Sequence, residues 1–422
     1  MYCWLSFIRR ITCTVCHQLF FKYQTQSGFS FASVVADYGE PYGRTEHYGE
    51  QGGTIQYRVS NQTLNFRNMK SAIFIPFFIL PFIVLGQLNA QPTQYPPAEK
   101  VASDFRALLQ RPVVDFKPSF QSSFADSIII EKGFIYSEAA ERIPVLIYKP
   151  VTPGVKSFPA VICLHGTGGS KEDGDIKNLL FQLTKIGIMG IAIDARYHGE
   201  RIADGAKGNQ QYVEAITKAW RNTGNTHQQH PFFFDTVYDL WRLTDYLVIR
   251  PDVQANRIGM MGISMGGIET WMAASVDKRI KVIVPVIAAQ SFKWSLENNK
   301  WQGRANTISQ AHIQAAKDMG DSSVNSRNVK LVWDKLIPGI TDEFDCPTMI
   351  RLITPRPLLL LNNEKDMNCP LGGAQVAFET ATNTYKAAGA LDKLQIHVTP
   401  NEPHRFLPEH LRMTLAWFRK WL

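Results

Sequence analysis

Residues 257–267 read Arg-Ile-Gly-Met-Met-Gly-Ile-Ser-Met-Gly-Gly. The apolar run ending at Ile263 has the length of a buried strand, and the pattern opening at Met265 is helical. Ser264 therefore sits on a strand-to-helix elbow. Gly262 and Gly266, two residues to either side, let the backbone turn tightly and present the hydroxyl. A serine that only caps the following helix is the bland alternative, and the residues met further along the chain weigh against it.

Working outward, short apolar strands alternate with helical patterns. Before the elbow, the spacing predicts strands at 127–136, 142–149, 160–164 and 188–194, with helices at 176–186 and 232–249. Beyond it come helix 265–275, strand 281–287, strand 357–362, helix 372–388, strand 394–398 and helix 409–421. Such alternation means an α/β fold: a mostly parallel central sheet flanked by helices. Two stretches, 197–231 and 289–348, are too long for simple connections and read as insertions, the second as a helical cap. They follow the fourth and sixth strands, which puts them above the carboxyl ends of the sheet, where open α/β sheets bind ligands.

The chain has 422 residues, 45% hydrophobic and 19% charged, a globular composition. Its formal charge of +8 is dispersed, with no basic arm, which excludes nucleic acid as a partner. Residues 1–68 show no sustained period, and no packed core is expected there; they read as an over-extended reading frame or a disordered segment. Met69-Lys70-Ser71, the apolar run 72–85 and Ala90 have the anatomy of a secretory signal peptide, 69–90. Fourteen apolar residues interrupted by Pro76 and Pro81 fall short of a membrane anchor. A lead-in, 91–125, with one short helix around 98–110, precedes the main domain, 126–422. Past the leader, Cys163, Cys346 and Cys369 remain. Cys163 lies in an apolar strand and reads as a buried thiol, which leaves Cys346 and Cys369 as the pair able to form a disulfide.

A serine hydroxyl needs a base to take its proton. His404, in Asn401-Glu402-Pro403-His404-Arg405-Phe406 between the last strand and last helix, emerges at the same sheet edge as Ser264. An orienting carboxylate is then required. Asp366 and Glu364 both follow strand 357–362, and Asp366 is preferred because it lies farther into the loop. The order Ser264, Asp366, His404 is that of an α/β-hydrolase. Amide donors for an oxyanion are expected from Met265, directly after the nucleophile, and from Thr167 or Gly168 in His165-Gly166-Thr167-Gly168-Gly169. His165 reads as structural. Trp294, Trp301 and Trp333 in the second insertion are candidates for lining an acyl or sugar pocket, with a core for the insertion as the equal alternative.

These residues carry a resemblance. From about 125 to 422 the chain resembles the α/β-hydrolase superfamily, nearest the dienelactone hydrolase and acetyl xylan esterase-like group. The carrying motifs are HGTGG at 165–169, DARYHGER at 194–201, GISMGG at 262–267, RPLLLLNNEKD at 356–366 and EPHRF at 402–406. The resemblance implies a serine carboxyl-ester hydrolase with no cofactor or metal, acting on small-molecule or carbohydrate esters. Dienelactone hydrolases use a cysteine where this chain has Ser264. Multimeric acetyl xylan esterases carry Arg-Gly-Gln where this chain has Arg196-Tyr197-His198-Gly199-Glu200. The rival within hydrolases is a peptidase of the prolyl oligopeptidase type acting on short peptides; a fold kept only for binding would normally have lost one of the three residues.

Overall fold

The computed structural model describes strands at Phe21–Thr25 and Gly28–Ala32 and residues 95–125, 127–203, 209–224 and 227–422. Two compact units divide the chain, Met1–Gly86 and Gln87–Leu422. In the first, strands β1 (Phe21–Thr25) and β2 (Gly28–Ala32) pair antiparallel, Phe21 opposite Ala32. Five residues per strand are too few for the sustained period sought in the sequence. The leader at 69–90 lies outside the described residues.

The second unit is built on a nine-stranded sheet. Its strands are β3 (Ser119–Ala125), β4 (Ile128–Tyr136), β5 (Arg142–Pro150), β6 (Phe158–Leu164), β7 (Met189–Ile193), β8 (Val253–Ile263), β9 (Ile280–Val286), β10 (Leu358–Asn363) and β11 (Leu394–Thr399). The order is β11-β10-β9-β8-β6-β7-β5-β4-β3. Pairing is antiparallel from β3 to β7 and parallel from β7 to β11. Every predicted strand is present within a few residues. β3 was hidden in the lead-in: its Ser-Phe-Gln-Ser-Ser-Phe-Ala is an exposed edge strand that buries no side chain fully, so it leaves no apolar signature.

The central strands are apolar throughout because both faces are covered. In β6, Phe158, Ala160, Ile162 and Leu164 enter one core, while Val161 and Cys163 enter the other. The second core is closed by α2 (Gly174–Lys185) and α12 (Pro408–Trp421), through Ile176, Leu179, Leu180, Leu183 and Phe418. The first is closed by α1 (Ala98–Leu108), α4 (Phe234–Ile249), α5 (Met265–Val276) and α11 (Leu371–Ala387).

Among the described residues both insertions carry helices that their composition did not announce. The first carries α3 (Gln210–Arg221), anchored by Tyr212, Ile216 and Ala219. The second carries α6 (Phe292–Glu297), α7 (Gln302–Asn306), α8 (Ser309–Asp318), α9 (Ser326–Leu336) and α10 (Cys346–Ile350). Phe292, Ile308, Val332 and Trp333 join its interior to the first core. The thiols of Cys163, Cys346 and Cys369 are all free and buried.

The sheet's turning point sets the location of chemistry. β6 connects toward β7 and β8 toward β9, in opposite directions from adjacent strands. A crevice opens at the carboxyl ends of such a pair, and there the chain places Leu164-His165 and Ile263-Ser264.

Four buried histidines tie stability to pH. Burial lowers His165, pushes His198 down to about 3, and pushes His312 and His410 down to about 4. An unfolded chain protonates its histidines below about pH 6.5. Because the folded chain resists these protons, its stability is complete above about pH 6.5 and declines as pH falls toward 4. Thermal unfolding between pH 7.5 and 4.5 is expected to show Tm falling on the acid side, with a shallower fall for His312→Leu. A flat profile would contradict this account.

Candidate active site

Ser264 stands between β8 and α5 with φ 55° and ψ −111°. A side chain at positive φ costs of order 1–3 kcal/mol and must be held by its surroundings. Three glycines make that possible. A Cβ on Gly262 would lie 2.2 Å from the Gly266 carbonyl carbon, one on Gly266 2.5 Å from Leu164 Cβ, and one on Gly267 2.5 Å from Ala288 Cβ. Two backbone bonds fix the elbow: Ser264 N–H donates to Val286 O at 2.9 Å and Gly266 N–H to His165 O at 3.1 Å.

His404 lies on the loop between β11 and α12, and two fasteners hold it. Asn363, the last residue of β10, donates through its amide to Pro403 O at 2.6 Å and Arg405 O at 2.9 Å, clamping the loop on both sides of His404. Below it, Lys365 N–H donates to Glu402 O at 2.9 Å. Glu364, the alternative acid, accepts from Asn401 N–H at 2.7 Å and so supports the base of the loop.

Asp366 has a fully buried carboxylate. Its Oδ1 accepts the N–H groups of Asn368 and Cys369, both at 2.8 Å, and its Oδ2 lies 2.6 Å from His404 Nδ1. A carboxylate can only accept, so Nδ1 carries the proton and Nε2 is left with a lone pair. That nitrogen lies 2.7 Å from Ser264 Oγ. The structure thus brings together three residues separated by up to 140 positions, in a line able to draw the hydroxyl proton toward the imidazole.

The donors expected for an oxyanion flank the same point. Met265 N–H is the first amide of α5, among the four that no intrahelical carbonyl reaches. Residues 166–169 form a turn closed by Gly169 N–H to Gly166 O at 3.0 Å, with Gly168 at φ 80°. This turn, with Thr167 at its tip, abuts Ser264: a Cβ on Gly166 would lie 3.6 Å from Ser264 Cβ. His165 donates from Nδ1 to Gly166 O at 2.8 Å and accepts Ala195 N–H on Nε2 at 3.1 Å, so both nitrogens are engaged in holding the turn.

The tryptophans divide. Trp333 is fully buried against Phe292, with ring centroids 5.3 Å apart, and belongs to the interior of the insertion, not to a substrate pocket. Trp301 is buried, with its indole N–H on Asn299 Oδ1 at 3.0 Å. Trp294 is half-buried over Gly372 and Gly373, where a Cβ on Gly372 would meet its ring at 2.3 Å. Sequence reasoning missed Asn363; its only trace is a polar pair, Asn362-Asn363, closing the apolar strand Leu358–Leu361.

Residues 113–292 match the family model for acetyl xylan esterase. YtaP of Bacillus subtilis (strain 168), described as a hydrolase, is 26% identical over 277 residues, covering 63% of this chain and 79% of that protein. The acetyl xylan esterase of Paenibacillus sp. R4 superposes with a TM-score of 0.55 at 19% identity, covering 78% of this chain and 96% of that one. Acetyl xylan esterase 1 of Thermoanaerobacterium sp. JW/SL YS485 gives 0.56 at 17%, covering 78% and 99%. The fold is that of these esterases, the α/β-hydrolase fold. The family match ends at 292, so the second insertion past its first few residues and the segments bearing Asp366 and His404 lie beyond it.

Asn363→Ala leaves two carbonyls flanking His404 without their donor, at a cost of about 1–3 kcal/mol for each one left unsatisfied. The expected outcome is a fall in kcat of about one to two orders of magnitude on a simple acetate ester, with the fold retained by circular dichroism. Turnover within twofold of the parent would show that the clamp does not position His404.

Proposed function

We propose that the protein is a secreted serine esterase that removes short acyl groups, of the acetyl type, from small-molecule or carbohydrate esters. The observation that carries this reading is the unbroken line Ser264 Oγ–His404 Nε2 at 2.7 Å and His404 Nδ1–Asp366 Oδ2 at 2.6 Å. The match to acetyl xylan esterases supports the acyl group and the class of alcohol.

His404 Nε2 takes the proton as Ser264 Oγ attacks the ester carbonyl. The tetrahedral oxyanion accepts from Met265 N–H and from Thr167 or Gly168 N–H, donors worth roughly 3–4 kcal/mol each in comparable sites. Asp366 holds the imidazolium through Nδ1–H. His404 returns the proton to the departing alcohol oxygen, leaving Ser264 acylated. Water then attacks the acyl-enzyme by the same route, giving up its proton to His404, and the carboxylic acid departs. Every proton in this cycle moves through Nε2, and no step requires a cofactor. Secretion is proposed from the leader at 69–90.

The purified protein is expected to hydrolyse p-nitrophenyl acetate faster than butyrate, and butyrate faster than octanoate. Ser264→Ala should lose about four orders of magnitude or more in kcat, and Asp366→Asn about as much through the wrong imidazole tautomer. Turnover persisting in Ser264→Ala would refute the site, and a preference for octanoate would refute the acyl class. Amino-terminal sequencing of protein secreted by its native host is expected to begin at Gln91; recovery of residues 1–68 in that protein would overturn the leader reading.

A further inference from the structure

The second insertion meets the Asp366 loop at a point of very close approach. A Cβ on Gly303, in α7, would lie 2.1 Å from Met367 O, so only glycine lets the helix settle there. The next residue, Arg304, is 1% exposed, and none of its three guanidinium nitrogens has a hydrogen-bond partner. The other buried arginines among the described residues have acidic partners: Arg196 pairs with Asp239 and Arg242 with Asp245, both at 2.7 Å. A buried cation left unpaired costs several kcal/mol.

The groups near Arg304 do not neutralise it. Asp366 is close enough to act on its charge, yet both Asp366 oxygens are engaged, by His404 and by the amides of Asn368 and Cys369. Tyr212, from α3, lies within electrostatic reach of both Arg304 and Glu269, and its hydroxyl has no partner. Burial pushes the Glu269 carboxyl well above the usual carboxylate range. The His198 ring stands 4.7 Å from that of Tyr212 and 5.2 Å from that of His165. Its Nδ1 faces Arg196 O at 2.8 Å, and its Nε2 is unpartnered. A fully buried cation, a phenol and an imidazole nitrogen thus lie near the proposed catalytic line without hydrogen-bond partners.

We propose that Arg304, with Tyr212 and His198, forms a subsite for a carboxylate group carried by the ester substrate. The inference rests on the esterase reading above and narrows its substrate to acid-bearing esters. Arg304 takes the carboxylate in a two-pronged pair, the Tyr212 hydroxyl donates to it, and His198 Nε2 accepts from a neighbouring substrate hydroxyl. Arg304 and Tyr212 belong to the two insertions and Ser264 to the sheet. Binding there would require α3 and α7 to part, while Ser264 stays on the sheet.

The test uses the full-length protein at pH 7 and two matched pairs: monoethyl succinate against ethyl butyrate, followed by ethanol release, and O-acetyl glucuronic acid against O-acetyl glucose, followed by acetate release. The first pair places the carboxylate on the acyl side, the second on the alcohol side. In at least one pair, kcat/KM is expected to favour the acid by tenfold or more. Arg304→Met should reduce that ratio at least tenfold while Tm stays at or above the parent value, because an uncompensated buried charge has been removed. Ser264-dependent turnover with a ratio below three in both pairs overturns the subsite and leaves the esterase reading standing. A ratio unchanged in Arg304→Met also overturns it. Turnover that survives in Ser264→Ala overturns the esterase reading and this inference with it.

Discussion

The backbone of Ser264 is the constraint around which the site is arranged. At φ 55° and ψ −111° the residue is not held by its own preference, so the strain must be carried by what surrounds it. β9 supplies Val286 O to its amide, and the end of β6 supplies His165 O to the amide of Gly266. Both neighbours are parallel strands paired to β8 over several residues. The elbow is therefore held by the sheet's middle, and the hydroxyl is aimed from the buried carboxyl-terminal halves of β6, β8 and β9. Elements that meet it need only bring a base and an acid to a fixed point.

The loop after β7 is held in a different way, by charge. Asp194 accepts Lys171 N–H at 2.8 Å and Glu200 N–H at 2.9 Å and pairs with Lys171 Nζ at 2.7 Å. Gly199 is required because a Cβ there would lie 2.2 Å from the Asp194 carboxylate. Arg196 and Arg201 both reach Asp239 on α4, at 2.7 and 2.6 Å, and together they hold its carboxyl well below the usual range. Breaking such a buried pair from one side costs about 3–5 kcal/mol. DARYHGER at 194–201 thus has a structural reason in this chain: alternate charges turn back into the protein and present His198 toward the site.

What the sequence made legible follows from which signals are local. Ser264 lies within a six-residue pattern whose glycines, strand and helix are all adjacent, so the elbow could be read directly. His404 and Asp366 were reached by topology, because each follows a strand whose carboxyl end had to face the same edge. The choice between Asp366 and Glu364 needed only distance along the loop, and the structure assigns the two carboxylates to different tasks, one on His404 and one on Asn401 N–H. Residues whose partners are remote in sequence left no trace. Asn363 acts on carbonyls 40 and 42 residues away, and β3 is recognisable only by its pairing with β4. Trp333 shows a choice the sequence left open: a large aromatic in an insertion reads equally as a pocket wall or as core, and here it lies in an interior of the insertion's own.

That interior changes how the second insertion should be understood. It is not a lid set on a finished enzyme, because it fastens the loop that carries Asp366. Gln290 donates to Asn368 O at 2.9 Å, and the Ala289 carbonyl receives both Asn362 Nδ2 at 3.2 Å and Cys369 Sγ at 3.3 Å. Ser291 N–H reaches Gly373 O at 2.9 Å, and Gly303 rests on Met367. These bonds grip both sides of Asp366, while the sheet grips only the strand before it. The orientation of the carboxylate against His404 is consequently a property of the insertion as much as of the sheet. Asp366 is therefore placed by contacts from two parts of the chain that are far apart in sequence, the strand before it and the helices of the insertion.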